Sequence, residues 1–107
     1  MRKGIRTFAA SVAVLSMFPI ASLAQGTGAA TYKSKCQMCH GATGMADTGA
    51  GKSLGVKPVS DPDVKKMTEA EMIAITKQGK GKMPAFMDKL TAAQTKAVID
   101  YYLSLVK

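Results

Sequence analysis

Apolar and polar positions follow a helical period most clearly in the C-terminal part of the chain. Apolar side chains recur there at spacings of three and four residues: Val98, Tyr101, Tyr102 and Leu105. The preceding segment, Thr91–Gln94, has the capping-box pattern, in which a threonine side chain and a Gln or Glu three residues later bond each other's backbone N–H groups. Together they predict a helix that ends near Val106.

The same capping pattern occurs at Thr68–Glu71 and predicts a second helix, which Gly79 would end. Residues 27–38 predict a further helix, and residues 61–63 the start of a short helical turn. Residues 41–60 are rich in glycine and predict a long loop, whereas Pro84 and two glycines make residues 79–84 non-helical. No convincing alternating strand pattern is present, so the predicted fold class is all-α.

The first 24 residues have the pattern of a secretory signal peptide. Residues 1–6 are basic, residues 8–20 are apolar, and residues 21–24 end in small side chains. The alternative is an uncleaved membrane anchor, but the uncharged stretch is slightly shorter than the ~20 residues that a spanning helix needs. We therefore divide the chain into a signal peptide, residues 1–24, and one exported domain, residues 25–107, and expect a periplasmic location.

Composition adds a question about what fills the core. The 107-residue chain has a formal charge of +8, which removal of the basic signal peptide would reduce to +5. Residues 25–107 contain only four aromatic side chains: Tyr32, Phe86, Tyr101 and Tyr102. A domain of this size has a marginal core, so something other than side chains is expected to contribute to it. The charge is a poor indication of nucleic-acid binding, because four aromatic residues give no stacking platform.

Cys36 and Cys39, followed directly by His40, form a C-x-x-C-H motif that is typical of c-type haem attachment. One helical turn lets both thiols reach the haem vinyl groups while the imidazole is directed at the iron. A thiol redox pair is an alternative, but the expected preceding strand is missing from the pattern. A zinc site would need further ligands, and His40 is the only histidine.

With no second histidine, a methionine is the natural second axial ligand. Met83 is the first candidate, because it lies in an irregular segment, 43 residues after His40, that is free to present its side chain. Met87 is the alternative. His/Met ligation leaves no open iron position and suits electron transfer rather than catalysis. A gas sensor or peroxidase-like protein with a labile Met ligand remains a second possibility.

These features together resemble the small class I monohaem cytochromes c of bacteria, over nearly all of residues 26–107. The resemblance rests on C-x-x-C-H, on the GKMPAF segment around Met83, on the C-terminal helix, and on an N-terminal helix with Gly28 and Tyr32. It implies three to five helices around one covalent haem c, with the N- and C-terminal helices crossing at Gly28 beside Tyr32 and Tyr101. It also implies an electron shuttle, not an enzyme.

The chain departs from that family at the residue that orients the haem histidine. Many members have a proline soon after the histidine whose carbonyl bonds the other ring nitrogen, but no proline lies between His40 and Pro58. Because ligating imidazoles nearly always have such a partner, another carbonyl of the glycine-rich loop is expected to bond His40.

Lysines near the two predicted ligand segments suggest how a redox partner docks. Six lie close to these segments in sequence: Lys33, Lys35, Lys77, Lys80, Lys82 and Lys89. If they surround the haem edge, they would steer the protein to a redox partner with an acidic docking face. We expect a monomer that meets a membrane only through a partner complex or an uncleaved signal peptide.

Overall fold

The computed structural model describes Gly4 and residues 20–106, with side chains from Thr27 onward. Six helices occur in this part of the chain: α1 (Ile20–Lys35), α2 (Gln37–His40), α3 (Gly49–Leu54), α4 (Pro62–Lys65), α5 (Glu69–Gln78) and α6 (Ala92–Ser104). The described residues include no strand beyond an isolated bridge between Lys80 and Met83. The all-α prediction is confirmed, but the described residues form six helices rather than three to five, because α2 and α4 are short helices of four residues each. The predicted signal peptide lies outside the described residues except for Gly4 and residues 20–24, which belong to α1.

Both predicted capping boxes form. The Thr68 side chain accepts a hydrogen bond from Glu71 N–H at the start of α5, and Glu71 accepts one from Thr68 N–H. Thr91 and Gln94 make the same pair of bonds at the start of α6. Gly79 ends α5 with a φ of 77°, a conformation that favours glycine. Local sequence therefore fixes the boundaries of the two helices that flank the Met83 segment.

The N- and C-terminal helices cross at Gly28, as the resemblance implied. A Cβ atom on Gly28 would lie 2.9 Å from the Ala97 carbonyl carbon and 3.3 Å from Tyr101 Cβ. Only a residue without a side chain lets α1 and α6 approach this closely. Beside the crossing, the rings of Tyr32 and Tyr101 lie 5.2 Å apart, centroid to centroid. The class I cytochrome c arrangement of the terminal helices is thus confirmed.

The buried core is small and lies between α1, α5, α6 and the segment that joins α5 to α6. It consists of Tyr32, Met72, Phe86, Leu90, Val98 and Ile99. Tyr32 and Val98 are the most buried of these, each with 2% of its surface exposed. Four of these residues also line the cavity described below: Tyr32, Met72, Val98 and Ile99.

The glycine-rich stretch differs from the predicted loop, because α3 forms within it. Thr48 accepts a hydrogen bond from Gly51 N–H at 2.9 Å and so caps the helix, which Gly55 ends in the left-handed conformation. The helix predicted over residues 27–38 is also interrupted: α1 ends at Lys35 and α2 begins after Cys36. In α3, contacts with α2, described next, support a helix that the glycines alone would not favour.

Candidate functional site

The C-x-x-C-H motif forms a single helical turn directly after α1. Cys36 N–H donates to the Tyr32 carbonyl at 2.9 Å, and His40 N–H donates to the Cys36 carbonyl at 2.9 Å. Cys36 and Cys39 are free, half-buried thiols. One turn therefore carries both thiols and the imidazole, the arrangement that the motif predicts.

The carbonyl groups at the end of α2 are bound by groups outside the helix. The hydroxyl of Thr48 donates to the Met38 carbonyl at 2.6 Å, and Ala46 N–H donates to the His40 carbonyl at 2.8 Å. The last four carbonyl groups of any helix have no hydrogen-bond partner within that helix. A one-turn helix such as α2 has few other carbonyl groups, so most of its backbone acceptors need external partners. The chain that follows His40 thus folds back and holds the end of α2.

Tyr32 adds a further bond from α1. Its hydroxyl is buried and donates to the Gly41 carbonyl at 2.5 Å, just after His40. Burial raises the pKa of this hydroxyl above its usual value, with Tyr102 adding to the effect, so Tyr32 stays a neutral donor at ordinary pH. The Tyr32 side chain therefore joins the crossing of α1 and α6 to the segment that contains His40.

The Met83 segment is held by backbone bonds on both sides of the methionine. Lys80 and Met83 exchange two hydrogen bonds, of 3.1 and 3.0 Å, in a tight turn. After the turn, Phe86 N–H donates to the Thr76 carbonyl at 2.9 Å and Met87 N–H donates to the Lys77 carbonyl at 3.2 Å. The segment is therefore fixed against the C-terminal end of α5.

A mainly apolar cavity of about 200 Å³ separates the His40 segment from the Met83 segment. Its walls are Tyr32, Cys36, His40, Val56, Lys57, Val64, Met67, Met72, Ile75, Thr76, Lys80, Met83, Val98, Ile99 and Tyr102. Two of the four aromatic side chains of residues 25–107 thus face the cavity rather than fill it. Its charged lining residues are Lys57 and Lys80.

His40 is half-buried beside the edge of the Tyr102 ring, with ring centroids 5.6 Å apart at an interplanar angle of 70°. Partial burial lowers the pKa of the imidazole, which favours its neutral form. Its Nδ1 atom is buried and makes no hydrogen bond with any described residue. The expected bond to a loop carbonyl is thus not formed here, although a neutral ring suits a metal ligand.

The Cys36 thiol is not activated by its surroundings. Burial raises its pKa to about 11, and the nearby Lys35 ammonium only partly opposes that effect. Redox-active and nucleophilic thiols have the opposite property, a pKa lowered below the ordinary value for cysteine. A thioether-forming role fits this environment better than thiol exchange.

The structure brings three of the four predicted site residues to one cavity. Cys36, His40 and Met83 all line it. Cys39 lies on α2 outside the lining set, and Met87, the alternative ligand, is 58% exposed and also outside it. The sequence analysis missed Thr48, whose hydroxyl binds the end of α2. Its only sequence signal was its position as a capping threonine three residues before Gly51, which the surrounding glycines obscured.

Comparison with known proteins identifies the family. Residues 24–101 match the family model for cbb3-type cytochrome c oxidase, subunit III. The chain belongs to this family. Among solved structures, it is similar to the KustC0563 c-type cytochrome, with 28% sequence identity, a TM-score of 0.69, and coverage of 75% of this chain and 98% of that one. A search of curated proteins gives no significant match.

Membership of this cytochrome c family makes the cofactor of the chain covalently bound haem c. The residues present fit that group: an apolar cavity has a half-buried neutral imidazole on its wall and a methionine thioether on another part of the lining. In residues 20–106, no helix is both long enough and apolar enough to cross a membrane.

Proposed function

We propose that the chain is a one-electron carrier in which Cys36 and Cys39 attach haem c and His40 and Met83 are the axial ligands. The observation that carries this proposal is that Cys36, His40 and Met83 line the same cavity, although Met83 comes from a segment far away in sequence. Haem c, when bound, supplies an iron centre that gains and loses one electron.

The side chains of the cavity have separate tasks in this function. His40, kept neutral by partial burial, offers its imidazole to the metal, and Met83 offers a thioether from a backbone turn that is already closed. A histidine–methionine pair favours a comparatively high reduction potential and fills both axial positions. The lining is mainly apolar and would suit the porphyrin, and Lys57 and Lys80 are the charged residues of the lining that could lie near anionic groups of a bound haem.

The axial ligand is tested with a matched pair of variants, Met83→Ala and Met87→Ala, produced in a periplasm that can attach haem. We expect Met83→Ala to lose the weak far-red ferric band that Met–iron ligation produces and to bind azide. Met87→Ala should keep the band, because this side chain is exposed and outside the cavity. The opposite result would make Met87 the ligand. A parent protein that lacks the band and binds azide would favour a sensor or peroxidase-like function.

Attachment and export are tested by absorption spectroscopy and intact mass. We expect a product whose mass equals residues 25–107 plus one haem, and loss of covalent haem when Cys36 and Cys39 are both replaced by serine. A colourless product from the same cells would support the thiol redox alternative. A haem-containing product that keeps residues 1–24 would contradict signal cleavage and indicate a membrane-anchored protein.

We further propose that lysines steer the protein to an acidic redox partner. The six lysines named above make no ion pair with any described residue, whereas Lys57 is paired with Asp63, and Lys96 with Glu69 and Asp100. Unpaired charge acts at longer range than paired charge, and salt screens it.

Electron transfer from the reduced protein is measured with anionic ferricyanide and cationic tris(phenanthroline)cobalt(III) at increasing ionic strength. The ferricyanide rate should fall with salt and fall further in Lys80→Gln, while the rate with the cationic cobalt complex should rise with salt. Lys96→Gln changes the net charge equally and should have the smaller effect, because Lys96 is already paired. Rates that do not depend on ionic strength would contradict steering.

A further inference from the structure

We propose that Thr48 is a positioning residue for His40, acting through the backbone of α2. This inference rests on the proposed role of His40 as the axial ligand. Thr48 lies eight residues after His40 and outside the C-x-x-C-H motif, and its hydroxyl binds two different helices at once.

The two bonds of Thr48 have opposite directions. Its hydroxyl donates its one proton to the Met38 carbonyl at 2.6 Å, with the Cys39 carbonyl farther away at 3.5 Å. The same oxygen accepts a hydrogen bond from Gly51 N–H at 2.9 Å. Thr48 therefore joins the C-terminal end of α2 to the N-terminal end of α3.

The position of α2 depends on such external bonds, because a single turn has little stability of its own. α3 is packed directly beneath it: a Cβ atom on Gly51 would collide with the Cys39 carbonyl oxygen and lie 2.8 Å from the Ala46 carbonyl oxygen. Loss of the Thr48 bond would leave the Met38 carbonyl without its partner and let the turn shift relative to α3. His40 lies at the end of that turn, so its ring would move with it.

The ring of His40 has few other constraints. Its Nδ1 makes no hydrogen bond with the described residues, so no carbonyl fixes the ring directly. What remains is the edge of the Tyr102 ring and the bonds to the backbone around His40. In this chain the backbone bonds thus take over part of the orienting task that a carbonyl bonded to the imidazole usually performs.

The chain supplies its own control in Thr68. Thr48 and Thr68 are both N-cap threonines whose side chains accept from the residue three positions later, Gly51 and Glu71 respectively. Only Thr48 also donates to α2. Replacement of either by valine removes a helix cap at similar cost. Because the cap lost in Thr48→Val is that of α3, which packs on α2, Thr48→Asp is the variant that separates loss of the bond to the Met38 carbonyl from loss of the cap.

The experiment compares the haem-loaded parent with four variants: Thr48→Val, Thr48→Ser, Thr48→Asp and Thr68→Val. For each, the reduction potential, the ferric EPR g values and the urea midpoint are measured. We expect Thr48→Val to shift the potential and the g values, and Thr48→Ser to restore both. Thr48→Asp keeps an acceptor for Gly51 N–H but has no proton for the Met38 carbonyl at neutral pH, so it should shift both as well. Thr68→Val should change only the midpoint.

The proposal is overturned if Thr48→Val and Thr48→Asp keep the potential and g values of the parent, or if Thr68→Val shifts them equally. If Thr48→Val does not accumulate, Thr48→Asp decides by the same criteria. Failure of the proposed function would look different: replacement of His40 by alanine would leave the low-spin ferric signal unchanged. That result would overturn the proposed role of Thr48 as well. If only the Thr48 variants give the contrary result, the proposal that His40 binds the iron still stands.

Discussion

Gly28→Ala should destabilise the protein, although alanine is the better helix former. Gly28 lies inside α1, where the exchange alone would gain about 1 kcal/mol in helix propensity. The new Cβ atom would, however, stand 2.9 Å from the Ala97 carbonyl carbon and 3.3 Å from Tyr101 Cβ. Because Ala97 presents backbone atoms that cannot rotate away, α1 and α6 must separate, and overpacking of this kind costs about 1–3 kcal/mol.

Gly49→Ala is the matched control, because Gly49 is also helical and a Cβ atom there meets nothing within 4 Å. Because Gly49 is the first residue of α3, its replacement should change stability little, whereas Gly28→Ala combines a propensity gain of about 1 kcal/mol with a packing cost of about 1–3 kcal/mol and should be less stable by up to about 2 kcal/mol. Each kcal/mol corresponds to a difference of about 4–8 °C in Tm for a domain of this size.

The assay is thermal and urea unfolding of the haem-loaded protein, followed by circular dichroism and by absorption of the haem. Gly28→Ala should also alter the near-ultraviolet signal of the tyrosines, since Tyr32 and Tyr101 pack beside the crossing. If Gly28→Ala is as stable as Gly49→Ala, the close approach at Ala97 does not limit the packing of the terminal helices, and the reasoning is refuted.

Three further predictions concern the core and the helix ends. Val98→Ala should lower the free energy of unfolding by about 2 kcal/mol in urea titrations, because Val98 is 2% exposed and its loss leaves a void; an unchanged midpoint would contradict its core position. Thr91→Ala should cost about 1 kcal/mol in the same assay by removing the cap of α6, and Thr91→Ser should recover most of it. Stability should also fall as pH rises above about 10, because Tyr32 stays protonated in the folded protein while it ionises in the unfolded chain; Tyr32→Phe should weaken this dependence, and an identical pH profile would refute the argument.

The parts of the fold that sequence predicted are those decided by neighbouring residues. The capping boxes at Thr68 and Thr91 and the stop at Gly79 are local patterns, and each forms as expected. α3 was missed because its glycines suppress the helical pattern, and its stability comes from the Thr48 cap and from contact between Gly51 and the end of α2. Contacts of this kind join residues that no short window contains.

The candidate site divides in the same way. C-x-x-C-H is one continuous motif, and its helical turn forms as expected. The irregular segment around Met83 marked this residue as the candidate second ligand, a role that stays a prediction. The cavity itself was not predictable, since its walls come from separate segments of the chain. It was also not predictable that His40 Nδ1 makes no hydrogen bond with the described residues. The glycine-rich loop contributes differently from the expectation: it bonds the backbone near His40 rather than the imidazole.

The hydrogen bonds that follow Met83 give its segment a defined dynamic character. Phe86 N–H and Met87 N–H bind two of the last carbonyls of α5, so the residues that follow the Lys80–Met83 turn also cap that helix. Opening of the segment is therefore coupled to fraying of α5, and the two should behave as one cooperative unit. In native-state hydrogen exchange, the amides of Gly79, Phe86 and Met87 should therefore share one opening free energy.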